Sequence, residues 1–208
     1  MSLEALRDPG PDGIFPSRLP RPVPLVVDVG FGRGELLLWL ACAEPERAYL
    51  GIEYSGKRVL KMARRLAKTE LDNVRLVQAT AQSAVAELAP ASVQGFWVNF
   101  PDPWPKKRHH RRRLLQPDFV RAMAERLVPG GFLEVATDHV EYAEWIQEVL
   151  PVETRLESRT APLAFRREPP ARAPTAYELE WRAQGRSAHY FSYARRVDAE
   201  AEGPKGSP

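Results

Sequence analysis

The stretch that restricts the fold of this chain most runs from Gly95 to Leu114. It opens with an apolar, strand-like run, Phe96-Trp97-Val98, breaks on Pro101, Pro103 and Pro105, and passes into eight consecutive basic or imidazole residues, Lys106 to Arg113. Proline locks φ and removes a backbone donor, so three alternating prolines cannot sit in a helix interior or a central strand. Asn99 to Pro105 is therefore predicted as a stiff loop at the end of a strand, holding Asn99, Asp102 and Trp104 still. The basic run beside it carries a local charge of +6 in a chain whose formal charge is only +3, so the charge is a patch and not a global field. Arginine dominates that patch, and its planar fork matches phosphate oxygens. The juxtaposition predicts a nucleic-acid base brought to an acidic and aromatic pocket.

At 208 residues the chain is expected to be one domain with a core of its own. The single cysteine, Cys42, excludes an internal disulfide and a Cys-rich metal site, which fits a reducing interior. Its neighbours Leu38, Trp39 and Leu40 predict a small core residue. His109 and His110 lack partners at metal-ligand spacing, so no metal site is expected. The longest apolar run, Leu36 to Ala43, is far short of the roughly 18 residues a membrane span needs, and the N-terminus shows no signal-like apolar stretch. The expectation is a soluble cytoplasmic protein that makes no contact with a membrane.

Val23 to Val29 is a β-branched run ending abruptly at Gly30, as expected of a strand buried on both faces of a parallel sheet. Gly30, Gly32 and Gly34 follow, then Glu35 to Ala43 with helical composition. A second strand, Ala48 to Ile52, ends on Glu53, about twenty residues beyond the glycines, where an acid can accept both hydroxyls of a ribose. The Gly-x-Gly-x-Gly spacing departs from the dinucleotide pattern, since Glu35 stands where a third glycine would make room for pyrophosphate. A cofactor with a ribose but no phosphate fits better. Asp28, at the strand tip, would repel pyrophosphate but suits the cationic amino-acid end of S-adenosylmethionine. The alternative is that Asp28 and Glu53 only cap neighbouring helices.

The remaining chain alternates. Residues 1–24, with six prolines, read as a flexible extended arm. Gly56 to Thr69 reads as an amphipathic helix with Val59, Leu60, Met62, Ala63 and Leu66 inward and Lys57, Arg58, Lys61, Arg64, Arg65 and Lys68 outward. Val74 to Val77 is a third strand, placing Gln78 and Thr80 where an adenine edge could be met. A short helix from Ala81 to Leu88 and a fourth strand from Val93 to Val98 lead to the central loop. Pro117 starts a helix that Pro129-Gly130-Gly131 stops. A fifth strand, Phe132 to Ala136, presents Thr137 and Asp138, and Val140 to Val149 is helical. Val152 to Arg159 and His189 to Arg195 are the last strands, separated by a helix from Thr175 to Gln184. Residues 25–196 form the domain, and the tail from Val197 to Pro208 reads as disordered.

Read in order, the three glycines, Glu53, the Asn-Phe-Pro-Asp-Pro-Trp-Pro-Lys-Lys-Arg-His run, Thr137-Asp138 and Thr175-Ala176-Tyr177-Glu178 resemble the bacterial tRNA (guanine-N7)-methyltransferase family, over roughly Val26 to Arg196. The resemblance implies an α/β, Rossmann-like S-adenosylmethionine-dependent methyltransferase. Its sheet would be mostly parallel and seven-stranded, with helices on both faces, and its target a guanine N7 in the tRNA variable loop. It makes Asp28, Glu53, Thr80 and Asp102 cofactor contacts, beside Gly30 and Gly32 of the glycine turn, and makes Asp102 the catalytic residue. Lys106, Asp138, Thr175, Ala176, Tyr177 and Glu178 would meet the guanine or tRNA. Lys107, Arg108, Arg111, Arg112 and Arg113 of the basic run are expected on the tRNA backbone. No protein partner is required, and the chain is expected as a monomer or homodimer. Two positions depart: family members commonly carry glutamate at Asp28 and aspartate at Thr80.

Plainer readings stand beside these. Asp102 can be a turn residue between prolines, Lys106 to Arg113 a solvated run, Asp138 a helix cap, and Thr175 with Glu178 a capping box serving its own helix. Trp104 can stack on a base or simply pack. Methylation of an exocyclic amine, hinted at by Asn99 and Pro101, and RNA binding without catalysis are the competing functions.

Overall fold

The computed structural model describes residues 1–8, 10–185 and 187–197. Its strands are β1 (Leu25–Val29), β2 (Ala48–Glu53), β3 (Val74–Gln78), β4 (Val93–Asn99), β5 (Leu127–Thr137), β6 (Leu156–Ser158) and β7 (His189–Arg195). They form one sheet in the order β3-β2-β1-β4-β5-β7-β6. The first five in that order run parallel, and β7 is antiparallel to both of its neighbours. The sheet is thus mostly parallel, as expected. β1 is buried along its whole length, because elements cover both faces, which is why it reads as an unbroken apolar run.

On one face Val26, Tyr49 and Trp97 pack against Leu36, Leu37 and Leu40 of α3 (Glu35–Ala43) and Met62 of α4 (Gly56–Leu66). On the other, Val27, Leu50, Phe96 and Val98 meet α5 (Ala81–Glu87), α6 (Pro117–Arg126) and α7 (Val140–Val149) through Val85, Phe119, Met123 and Ile146. Strand register aligns Gly51, Asp28, Trp97, Glu134 and Ser192 in one row across β2, β1, β4, β5 and β7. Gly95 is needed in β4, since a Cβ there would lie 2.1 Å from the Phe132 ring, which packs edge-on against Trp97 at 5.7 Å.

Four expectations differ from the structure. Residues 1–24 carry α1 (Glu4–Arg7) and α2 (Gly10–Ile14), and Leu6, Phe15, Leu19 and Val23 are core residues. Prolines hide this because they break the segment into pieces too short to show a period. Arg7 and Arg18 are tied to Glu87 and Asp72, so the segment is strapped to the domain. Cys42 is exposed, because α3 buries Leu37, Leu40 and Ala41 and turns the next position outward. Leu60, 53% exposed, and Ala63 lie on the solvent side of α4, whose inward stripe is narrower than its composition suggests. β5 begins at Leu127 and runs through Pro129-Gly130-Gly131, the register to β4 shifting nearby; a proline is tolerated at such an irregularity. Residues 198–208, which carry most of the expected disordered tail, lie outside the described residues.

Candidate active site at the strand tips

The sheet order reverses between β1 and β4, and in open α/β sheets ligands bind outside the carboxyl ends of the strands at such a point. Here the crevice is built by the turn after β1. Gly30, Gly32 and Gly34 have φ of 73°, 57° and 78°, a left-handed region that only glycine enters freely. A Cβ on Gly30 would meet nothing within 4 Å, so backbone faces open space there, whereas one on Gly34 would lie 2.5 Å from Met62 Sδ. Gly30 therefore leaves its backbone open to the crevice, and Gly34 serves helix packing. Glu53 holds the turn: its Oε2 accepts the Gly32 N–H at 3.2 Å, its Oε1 accepts Ser55 N–H at 2.9 Å, and Arg58 approaches at 3.5 Å.

Two cavities open at these tips. The larger, about 550 Å³, is lined by Asp28, the glycine turn, Asp138, Thr175 and Tyr177. The smaller, about 280 Å³, is lined by Glu53, Tyr54, Ala79, Gln82 and Trp104. Gly30, Arg58, Asn99, Phe100, Pro101 and Asp102 belong to both, so Asp102 stands on the shared wall. Asp28 is only 3% exposed. Burial pushes its carboxyl up to about 7, with Arg172 pulling it back down and Glu53 adding to the rise. No hydrogen bond or ion pair within the described residues reaches that carboxylate. A buried acceptor without a donor, open backbone at Gly30 and an acid in the neighbouring cavity fit a ligand that brings a cation and a ribose.

The proline segment is a loop, as its residue pattern demands. Phe100 and Trp104 take φ of 51° and 44°, conformations that cost of order 1–3 kcal/mol each and persist only when surroundings enforce them. The enforcing contacts are visible. Phe100 N–H donates to Ala136 O at 2.8 Å, and Arg113 Nε donates to Pro103 O at 3.0 Å. Trp104 packs edge-on to His109 at 5.7 Å, with the Arg112 guanidinium 5.1 Å over its ring.

The basic run forms a 3-10 helix, Lys107–Arg112, with Lys106 at its cap. Lys106, Lys107, Arg108, Arg111 and Arg112 are exposed, and no carboxylate among the described residues pairs with them. Lys106 lines neither cavity. Arg113 does not belong on a tRNA-facing surface. It is 2% exposed, donates also to Glu141 O at 3.4 Å, meets His110 Nε2 at 3.1 Å and lies 5.1 Å over the Tyr142 ring.

Thr80 is likewise spoken for: its Oγ1 accepts Ser83 N–H at 3.2 Å and lies 2.7 Å from Ser83 Oγ, capping α5. The smaller cavity is walled instead by Ala79, Ala81 and Gln82. At α8 (Ala176–Ala183) the capping box is complete, with Thr175 Oγ1 accepting Glu178 N–H at 3.2 Å and Glu178 Oε2 accepting Thr175 N–H at 2.8 Å. Glu178 is 2% exposed; it also accepts from Arg172 at 2.6 Å and from the Tyr190 hydroxyl at 2.9 Å. Burial pushes its carboxyl up, and the bond and charge of Arg172 outweigh this and hold it below the usual range. Glu178 has no face left for a substrate. Tyr177 and Asp138 line the larger cavity: the tyrosine hydroxyl donates to Asp138 at 2.9 Å, and its ring packs on Phe100 at 5.1 Å and Trp181 at 5.7 Å. Ala176 opens the helix half-buried. Two residues of the site escape a reading of the sequence. Arg58 belongs by pattern to an outward face yet lines both cavities, and Arg172 lies in a proline-arginine loop without period.

The family model described as "Putative methyltransferase" matches residues 22–191. A tRNA (guanine-N(7)-)-methyltransferase of Halorhodospira halophila is 42% identical over 188 residues, covering 90% of this chain and 80% of that protein. One of Thiobacillus denitrificans is 40% identical over 177 residues, 85% and 77% of the two chains. Among solved structures, the aminoglycoside resistance methyltransferase NpmB1 superposes with a TM-score of 0.55 at 21% identity, over 82% of this chain and 86% of the other. The 16S rRNA (adenine(1408)-N(1))-methyltransferase of Catenulisporales acidiphilia, solved with its cosubstrate SAM, gives 0.56 at 15% identity, over 83% and 84%. At those identities the likeness is one of fold.

Proposed function

Because this chain belongs to the tRNA (guanine-N(7)-)-methyltransferase family, we propose that it transfers a methyl group from S-adenosylmethionine to N7 of a guanine in tRNA, the variable-loop guanine being the expected target. The observation that carries the proposal is the position of Asp102, on the wall between a cavity holding an unpartnered buried acid and one holding Glu53. S-adenosylmethionine, when bound, supplies an electrophilic methyl group on a sulfonium.

Guanine N7 is an acceptor with a free lone pair, so it needs no base to attack. The chain's task is alignment, which can lower a barrier by about 7–11 kcal/mol when reacting atoms are held in line. Asp28 takes the cofactor's ammonium, Glu53 its ribose hydroxyls, and Gly30 lets both approach the backbone. Asp102 accepts hydrogen bonds from guanine N–H groups, enriching the ring as positive charge develops. Tyr177 and Phe100 offer an aromatic wall to the base, and Asp138 a second acceptor. Lys107, Arg108, Arg111 and Arg112 grip the surrounding phosphates. Among the described residues no helix is long and apolar enough to cross a membrane. The proposed setting is the cytoplasm, with the chain acting as a monomer or homodimer.

The test is labelled methyl transfer to unmodified tRNA, followed by digestion and nucleoside identification. Label in N7-methylguanosine is the expected result. Label in a methylated exocyclic amine, or none at all, overturns the reading.

A further inference from the structure

Strand order sets the cavities side by side along the strand tips. The smaller spans β2, β1 and β4, the larger runs from β1 to Asp138 beyond β5, and a third, of about 200 Å³, continues past β5 to Ser187 and Ala188 at the entry to β7. Phe100, Asp138 and Trp181 line both the second and the third, so the third lies across a shared wall from the larger cavity, on the side away from the glycine turn. No residue of Lys106 to Arg113 lines it, yet Arg167 and Arg182 do. Arg167 Nη1 donates to Ser187 Oγ at 3.0 Å, its guanidinium lies 5.0 Å over the Phe165 ring, and it pairs with no carboxylate among the described residues. Arg182 Nη2 donates to the Tyr190 hydroxyl at 3.4 Å and stands 3.7 Å from Glu178. The two carboxylates of the wall are already engaged: Glu178 accepts from Arg172, Thr175 N–H and Tyr190, and Asp138 accepts from Tyr177. With Arg172 pairing Glu178, three guanidiniums stand against two carboxylates, and the cavity carries a positive excess.

We propose that this third cavity is a phosphate subsite for the nucleotide next to the target guanine: Arg167 and Arg182 grip one flanking phosphate of the RNA chain, and Phe100 and Trp181 form the partition between that nucleotide and the base being methylated. The reading deepens the proposed methyl transfer and rests on it. A guanine offered to the larger cavity brings its own chain with it, so a neighbouring phosphate lies within one nucleotide of the shared wall. Arginine's planar fork matches phosphate oxygens, and a guanidinium already held by a ring or a hydroxyl has less freedom left to lose on gripping them. The basic run reaches the smaller cavity through Arg112 and the pair reaches the third, so the RNA chain is held at two separate points. Phosphate contacts fix register and carry no sequence information. The subsite therefore places N7 without selecting the flanking base.

The experiment uses tRNA ligated from synthetic fragments, with an uncharged methylphosphonate in place of one or the other phosphate flanking the target guanine. Methyl transfer is measured with the unmodified protein, Arg167→Gln and Arg182→Gln; both side chains are exposed, and the variants should keep the fold. With the unmodified protein, the neutral linkage at one of the two phosphates should lower kcat/KM about tenfold, the scale of a lost hydrogen bond between charged groups. Each variant should lose a similar factor on all-phosphate tRNA and then respond less than twofold to that linkage. Arg108→Gln, in the basic run, should keep the full response. Equal responses in the unmodified protein and both variants, or no response at either phosphate, overturn the subsite. If the unmodified protein transfers no methyl to any of these RNAs, the functional reading falls, and the same comparison read as equilibrium tRNA binding still decides the role of the two arginines.

Discussion

Arg113 Nε donates to the carbonyl oxygen of Pro103 at 3.0 Å, folding the last residue of the basic run back beneath the loop that carries Asp102. Of the run's six full cations, this one has left the surface to hold the loop's shape, and the others remain free to meet phosphate.

Arg113→Ala should therefore cost roughly 3 kcal/mol of stability, since it removes a buried side chain and its two charged hydrogen bonds to the carbonyls of Pro103 and Glu141. Substituting Arg108 or Arg111 should leave stability nearly unchanged and flatten the plot of log tRNA affinity against log salt by about 0.7–0.9 for each phosphate the variant no longer neutralises. Thermal melts and salt titrations of the three variants separate the roles. A flattened salt slope in a stable Arg113→Ala protein would return that residue to the RNA surface.

Asp102 is exposed on the wall shared by both cavities and stands apart from the Asp28 and Glu53 contacts. Asp102→Ala should lower kcat by about 100-fold, the scale of lost alignment. Affinity for S-adenosylmethionine should stay within about threefold. Single-turnover kinetics and calorimetry check this pair of outcomes; unchanged turnover would make Asp102 a turn residue only.

Asp28 sits at about 7 in the fold against 3.8 for an ordinary aspartate. The folded chain thus holds its proton more tightly than the unfolded chain does. Its contribution to stability is fully present below about pH 4 and is lost as pH rises toward 7. Asp28→Asn should match the unmodified protein near pH 4 and exceed it at pH 8, by up to about 4 kcal/mol, while losing cofactor affinity. Denaturant unfolding at the two pH values measures the difference. Equal stability at pH 8 rejects the buried, costly carboxylate.

Thr80 spends its hydroxyl on the cap of α5. Thr80→Ala should cost about 1 kcal/mol and leave S-adenosylmethionine affinity within about twofold. A tenfold loss of affinity by calorimetry, with the fold intact, would restore a cofactor contact at this position.

Much of the scaffold is legible from residues alone. Valines before Gly30, Glu53 about twenty positions later and the alternating prolines each impose a local backbone state, and local states need no distant partner. The capping box at Thr175 and Glu178 is visible for the same reason: its two hydrogen bonds close within four residues. The N-terminal segment reads wrongly as a free arm because its apolar residues are spaced by prolines, and only the sheet behind them makes Leu6 and Phe15 core.

The site divides along the same line. Residue order set the strand tips, the rigid loop and the patch of positive charge, because dihedral limits and side-chain chemistry belong to each stretch by itself. Whether Arg113 faces solvent or Pro103, whether Glu178 meets a substrate or Arg172, and how strongly Asp28 resists ionisation were decided by the tertiary structure. Burial of a long charged side chain depends on groups brought from far along the chain, and no local pattern records which of them will arrive.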